Sequence, residues 1–240
     1  MTSRIQPSGF DGSGVMFDTL AKRYDLINRL TSFGRDRVWR RQTAAKLGAP
    51  KRILDLATGT GDLAIELARA YPEAEVIGLD PSVRMLEVGR RKTRALGLDH
   101  RIQYIEGDAQ ALPFENAAFD GISMAFGIRN VSDRGAALKE IARVSSRGAR
   151  IGVLELTEPR GFGMSTLARF HVHRVVPLLG AMLSGRGQYA YLSRSISEFP
   201  APEAFAKFAE NCGLHLVELV SFSFGACHLF LFTPSAEGSA

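Results

Sequence analysis

The residues best suited to chemistry gather in one stretch, LDLATGTGD at 54–62. Gly59 and Gly61 let the backbone turn tightly and let a ligand come close to it. Asp55 and Asp62 flank the pair, and Thr60 lies between the glycines. Asp80 ends an apolar run at 74–80, where a carboxylate can grip ribose hydroxyls. Asp108 closes another run at 101–108. An acid there can accept an adenine amino group, and the backbone N–H of Ala109 can donate to a ring nitrogen. An aspartate in a turn is by default only a turn residue, so Asp108 gains weight from standing in a third consecutive unit. Arg129 and Asn130 come just after the run FDGISMAF at 119–126.

Two ligand classes fit the glycine turn. Residues 59–64 read G-T-G-D-L-A, which satisfies the dinucleotide pattern G-x-G-x-x-A. Charge argues against that reading. Asp62 sits at the mouth of the following helix, where a dinucleotide places its pyrophosphate, and Asp55 lies just upstream. Two carboxylates in a partly buried site repel two phosphates strongly. S-adenosylmethionine has no phosphate. It carries a sulfonium, an ammonium and one carboxylate, and acids around the glycines suit it. Asp62 can also serve as a plain helix-capping acid, worth about 1 kcal/mol.

Such residues work together only if a scaffold brings several loop starts to one place. From residue 51 the chain alternates short apolar runs with helical stretches: 51–57, 74–80, 101–108, 119–126 and 149–156 read as strands, 62–71 and 81–96 as helices. Between the last two strands, Leu138, Ile141, Ala142 and Ser145 share one helix side. This β-α alternation predicts a parallel sheet covered by helices on both faces. A helix with Phe205, Phe208, Ala209 and Cys212 follows, then strands at 214–222 and 226–232. Their short connection predicts an antiparallel pair at one edge. Met16, Leu20, Tyr24 and Ile27 are spaced as in a helix, giving a helical arm over 15–50. Residues 1–14 read as a tail. Residues 160–200 interrupt the alternation with apolar sequence carrying Arg169, His171, His173 and Arg174, which suggests an inserted lid.

Composition bounds the class. The 240 residues are 45% hydrophobic and 23% charged, ordinary globular values that exclude disordered and collagen-like chains. Two cysteines make neither a disulfide framework nor a zinc site, so no metal is expected and a reduced, cytoplasmic setting is. No signal peptide or membrane span is visible. Net charge is +5, but residues 1–52 hold 11 basic against 4 acidic residues, so the surplus belongs to the arm. A basic arm suits nucleic acid, anionic lipid or simple solvation.

Together these residues resemble the class I S-adenosylmethionine-dependent methyltransferases. The chain is further similar to the ubiquinone/menaquinone biosynthesis C-methyltransferase family, over about Met16 to Phe232. The specific marks are FDTLAKRYDLINRLTSFGRDRVWRR (17–41), LPFENAAFD (112–120), MAFGIRNVSD (124–133), VLELTEP (153–159) and YAYLSRSISEFP (189–200). The resemblance implies a Rossmann-like, doubly wound sheet in one domain over 15–240, and methyl transfer to a ring carbon of a polyprenyl hydroquinone. Thr60, Asp80, Asp108 and Ala109 match the family's cofactor contacts. Some members carry Ser where this chain has Ala125, so a side-chain hydroxyl contact there is lost.

The chemistry needs an electron-rich ring. A phenol pKa near 10 leaves roughly one part in a thousand ionised at pH 7, so a site must supply up to about 4 kcal/mol. A fixed cation beside the oxygen can do this. Arg129 is the candidate cation and Asn130 its hydrogen-bonding partner. Tyr24, Asp25 or His171 can take the proton. Bland alternatives are a loop-capping pair for Arg129–Asn130, core packing for Tyr24 and a satisfied buried histidine for His171. The prenylated acceptor resides in the bilayer, so peripheral contact with the inner membrane face through 160–185 and the basic arm is an expectation, as is a homodimer or a quinone-biosynthesis complex. Three rivals remain at this point: an RNA methyltransferase, which for a pyrimidine carbon calls for a cysteine nucleophile; a nicotinamide-dependent dehydrogenase; and a non-catalytic scaffold. Both cysteines are expected away from the sheet's C-terminal turns, and no basic stacking surface for nucleic acid is evident.

Overall fold

The computed structural model describes residues 24–159 and 194–235. The expected tail, Met16, Leu20, His171 and most of the lid segment lie outside the described residues. The chain forms α1 (Tyr24–Thr31), α2 (Arg35–Ala45), β1 (Arg52–Leu56), α3 (Asp62–Ala70), β2 (Glu75–Asp80), α4 (Val83–Ala95), β3 (Ile102–Glu106), β4 (Phe119–Ala125), α5 (Arg134–Val144), β5 (Ser145–Leu156), α6 (Pro202–Glu210), β6 (Leu214–Phe222) and β7 (Cys227–Pro234). The arm is two helices, because Phe33 and Gly34 both take left-handed backbone angles between them.

The seven strands lie in the order β3-β2-β1-β4-β5-β7-β6. The first five are parallel, and β7 runs antiparallel to both of its neighbours. The expected antiparallel pair at one edge therefore forms, with β7 slotted inside β6. Residues 52–56 explain why β1 is central: Ile53, Leu54, Asp55 and Leu56 are all buried, as a strand covered on both faces requires. Odd and even residues feed two separate cores. Ile53, Leu63, Leu67 and Trp39 pack on the α2–α3 face, and Leu54, Leu56, Ile141 and Phe205 on the α5–α6 face. β5 starts at Ser145, earlier than the expected 149, with a register irregularity opposite Phe119–Gly121.

Strand order reverses beside β1: β2 leaves on one side and β4 on the other. Open α/β sheets bind ligands at such a switch point, outside the carboxyl ends of the strands. Both strand exits here are bent sharply. Ala57 after β1 and Phe126 after β4 have φ of 47° and 61°, a region that costs a non-glycine residue on the order of 1 kcal/mol or more. A Cβ on Gly127 would stand 2.5 Å from that of Ala57, so the two exits touch where only glycine fits.

Candidate active site

The glycine turn links β1 to α3. Gly61 caps α3 with φ of 79°, and a Cβ there would overlap the Tyr104 hydroxyl at 2.0 Å. Glycine is thus required twice over, by backbone sign and by space. Asp62 begins the helix but makes no capping bond; its carboxylate turns to Lys92 of α4.

Asp55 anchors the turn from beneath. Its carboxylate accepts hydrogen bonds from Thr58 Oγ1 at 2.6 Å and from Ser123 Oγ, its cross-strand neighbour on β4, at 2.6 Å. Full burial pushes its pKa up to about 6, against the partial relief of these two hydroxyls and the charge of Arg40. Asp80 closes the turn from the side. It accepts the N–H of Gly59 at 2.8 Å and of Ser82 at 2.8 Å.

Thr60 faces the arm. Its hydroxyl donates to Asp25 of α1 at 2.5 Å. Lys92 bridges the group, donating to Asp25 Oδ2 at 2.9 Å, to Asp62 Oδ1, and to the Thr60 oxygen at 3.3 Å. Burial acts to raise the Asp62 carboxyl, but Lys92, Arg40 and Arg29 outweigh it and hold the group below its ordinary range. Asp25 is committed to Thr60 and Lys92. Tyr24 opens α1 beside it; its side chain lies outside the described residues.

Asp108 follows β3 and is exposed, while Ala109 is buried. Gln110 donates to both Asp108 oxygens through Nε2, at 3.0 and 2.9 Å, and accepts the backbone N–H of Asp133 at 2.9 Å. The third loop is thereby tied to the start of α5. Arg129 and Asn130 occupy a short 3-10 turn after β4. Arg129 Nη1 donates to Glu155 Oε1 at 2.5 Å and to the Phe126 carbonyl at 3.0 Å. Asn130 Nδ2 donates to the same carbonyl at 3.3 Å. Glu155 is fully buried on β5, so this is an interior ion pair.

The structure thus brings Asp55, Gly59, Thr60, Gly61 and Asp80 together at one turn, with Asp108–Ala109 and Arg129–Asn130 on the neighbouring strand exits. Reading the sequence missed Lys92, Glu155, Gln110 and Arg40. Glu155 left a signal, an acid inside the apolar run GVLEL, since a buried charge demands a partner. Lys92 left none within its Arg-rich helix.

One expectation is corrected. Cys227 does not lie away from the sheet's carboxyl ends: it pairs with Leu156 at the end of β5. Burial nevertheless pushes its thiol well above the ordinary range, with Glu155 adding to the rise, so it stays protonated. Burial raises Cys212 as well. Neither offers the thiolate that nucleophilic attack on a pyrimidine requires.

Among solved structures, the fold is similar to a SAM-dependent methyltransferase from Aquifex aeolicus, with TM-score 0.62, 16% identity, and coverage of 92% of this chain and 98% of that one. It is also similar to the [4+2]-cyclase SpnF, with TM-score 0.66, 17% identity, and coverage of 95% and 98%. A cyclase and a methyltransferase on one fold mean that fold alone does not assign the reaction. Sequence does more. A demethylmenaquinone methyltransferase from Thermus thermophilus is 46% identical over 89% of this chain and 98% of its own length. Another from Bacteroides fragilis is 37% identical over 96% and 97%. A ubiquinone/menaquinone biosynthesis C-methyltransferase from Geotalea daltonii is 44% identical over 79% and 82%. The model of the ubiE/COQ5 methyltransferase family matches residues 12–232, and the chain belongs to that family.

Proposed function

We propose that this chain methylates a ring carbon of a prenylated hydroquinone, a demethylmenaquinol or its benzoquinol counterpart, with S-adenosylmethionine as donor. The observation that carries the reading is the ring of acids at the switch point. Asp55, Asp62, Asp80 and Asp25 surround or touch the glycine turn. Such a site favours a cationic ligand and disfavours a pyrophosphate. The names of the relatives support the acceptor class.

When bound, S-adenosylmethionine supplies a methyl group made electrophilic by its sulfonium. Asp80, at the end of β2 beside the glycine turn, would hold ribose hydroxyls. Asp108 and the Ala109 N–H would hold the adenine edge. Gly59, Thr60 and Gly61 line the backbone approach. Arg129 favours the ionised form of one ring hydroxyl, and Asn130 hydrogen-bonds the same oxygen. The hydroxyl proton goes to a base, for which Tyr24 and His171 are the candidates now that Asp25 is engaged. The ring carbon would then take the methyl as its bond to sulfur breaks and the neutral thioether leaves, and the proton on that carbon would pass to the same base or to water as aromaticity returns. We read residues 15–240 as one domain.

Contact with the inner face of the membrane fits the arm. Leu26, Phe33 and Val38 are exposed there among Arg29, Arg35 and Arg37. No helix among the described residues is long and apolar enough to cross a bilayer.

Purified protein incubated with labelled S-adenosylmethionine and each reduced quinol should transfer label to the ring, and the oxidised quinones should stay unlabelled. Folded protein that labels neither quinol refutes the proposal.

A further inference from the structure

The glycine turn has an acid for every positive charge its proposed ligand carries, but the ligand also bears a carboxylate. Arg40 of α2 is the residue that meets it. Its side chain is buried, at 6% exposure, and its Nε has no hydrogen-bond partner. Among the described residues it forms neither a hydrogen bond nor an ion pair. Asp36, one turn earlier on α2 and itself buried, does not pair with it; Asp36 accepts from Ser32 instead, at 2.8 Å. The guanidinium lies over the face of Phe126, 5.0 Å from the ring centroid. Phe126 is the strained residue at the β4 exit whose carbonyl holds Arg129 and Asn130.

Its location follows from the charges it acts on. Arg40 lowers the titration of both Asp55 and Asp62, the carboxylates that bracket the glycine turn, yet bonds to neither. A buried guanidinium with unmet donors is costly, and native structures satisfy nearly all such groups. A planar fork of N–H donors is matched best by a carboxylate, bidentately. The acceptor cannot supply that anion: a hydroquinone is neutral until its hydroxyl ionises, whereas the amino-acid carboxylate of the donor is charged throughout. We propose that Arg40 is the residue that binds the carboxylate of the donor's methionine end, making the site complementary to a zwitterion and not merely to a cation. This rests on the donor assignment above.

The test compares S-adenosylmethionine with its decarboxylated analogue by calorimetry on the full chain. Acids alone would favour the analogue, which is more positive. Arg40→Met should weaken S-adenosylmethionine binding by roughly tenfold or more while leaving the analogue unchanged or tighter. Arg40→Lys should recover part of the loss. Equal loss for both ligands, or no loss for either, overturns the assignment, since general damage to the fold would move both together. If Arg40→Met does not fold, the unaltered protein still decides: binding the analogue some tenfold more tightly than S-adenosylmethionine overturns the role of Arg40, and comparable or weaker binding of the analogue supports it. Failure to bind either ligand overturns the donor assignment itself, a separate result.

Discussion

Asp55 shows how one side chain couples stability to pH. Burial holds its carboxyl at about 6 in the folded chain, against 3.8 ordinarily, so the folded state prefers the protonated form. A raised acid contributes most to stability at low pH, and the contribution declines as pH climbs from about 4 to about 6, by about 3 kcal/mol in all. Asp62 works in the opposite sense: its lowered carboxyl stabilises above the ordinary carboxylate range and loses that effect as pH falls. Urea midpoints taken across pH 4–6 should therefore shift less in Asp55→Asn than in the parent chain. A slope unchanged by the substitution would mean that Asp55 is not the group responsible.

Arg129 poses a second problem at this scale. Its partner Glu155 is fully buried, so Arg129→Ala leaves an uncompensated interior charge and should cost about 3–5 kcal/mol. Loss of turnover in that variant alone would not separate chemistry from unfolding. The pair Arg129→Met with Glu155→Gln removes both charges and should recover much of the melting temperature. Turnover should stay low in the pair if Arg129 acts on the acceptor oxygen, and return toward normal if the pair is only structural.

Elements set the site through two joints. The first is the contact between the β1 and β4 exits. Gly127→Ala would press a methyl against Ala57, separating the strand ends that frame the switch point. Overpacking of this kind costs about 1–3 kcal/mol, and a lowered melting temperature with weakened donor binding should be seen together. The second joint is Lys92, which ties α1 to α3 and to the glycine turn. Lys92→Met leaves Asp25 and Asp62 as neighbouring carboxylates without their common cation. Amide hydrogen exchange over 24–31 should speed up, and added salt should partly restore protection by screening the repulsion.

At the scale of the whole molecule, the basic surplus sits on the arm while the remaining 188 residues are net acidic by two. Each Lys or Arg near an anionic bilayer contributes about 1 kcal/mol, falling off within a Debye length. Flotation with vesicles rich in anionic lipid should carry the protein upward at low salt and less so at high salt. Leu26→Ser with Val38→Ser should reduce flotation without altering labelling of a short-tailed, water-soluble quinol. Flotation indifferent to salt and to both substitutions would remove the arm from membrane contact.

Hydrophobic period and the succession of elements along the chain were legible from the residues alone. The β-α alternation from 51 onward, the burial of 53–56 on both faces and the glycine turn follow from local sequence, because hydrophobic period and glycine's backbone freedom are properties of neighbours in the chain. Strands 214–222 and 226–232 could be seen to pair, but not that β7 would insert between β5 and β6, since strand order is a matter of long-range packing. Long-range charge was equally invisible. Asp25 meets Lys92 across 67 residues and Arg129 meets Glu155 across 26. No spacing rule foretells a partner that far away; it depends on which helix crosses which strand exit. Arg40 is the sharpest case. In sequence it is one arginine of a basic arm, indistinguishable from Arg37 or Arg41. Folding buries it beside Phe126 and leaves Arg41 in solvent against Glu66, because the turn of α2 aims one position at the sheet and the next at water.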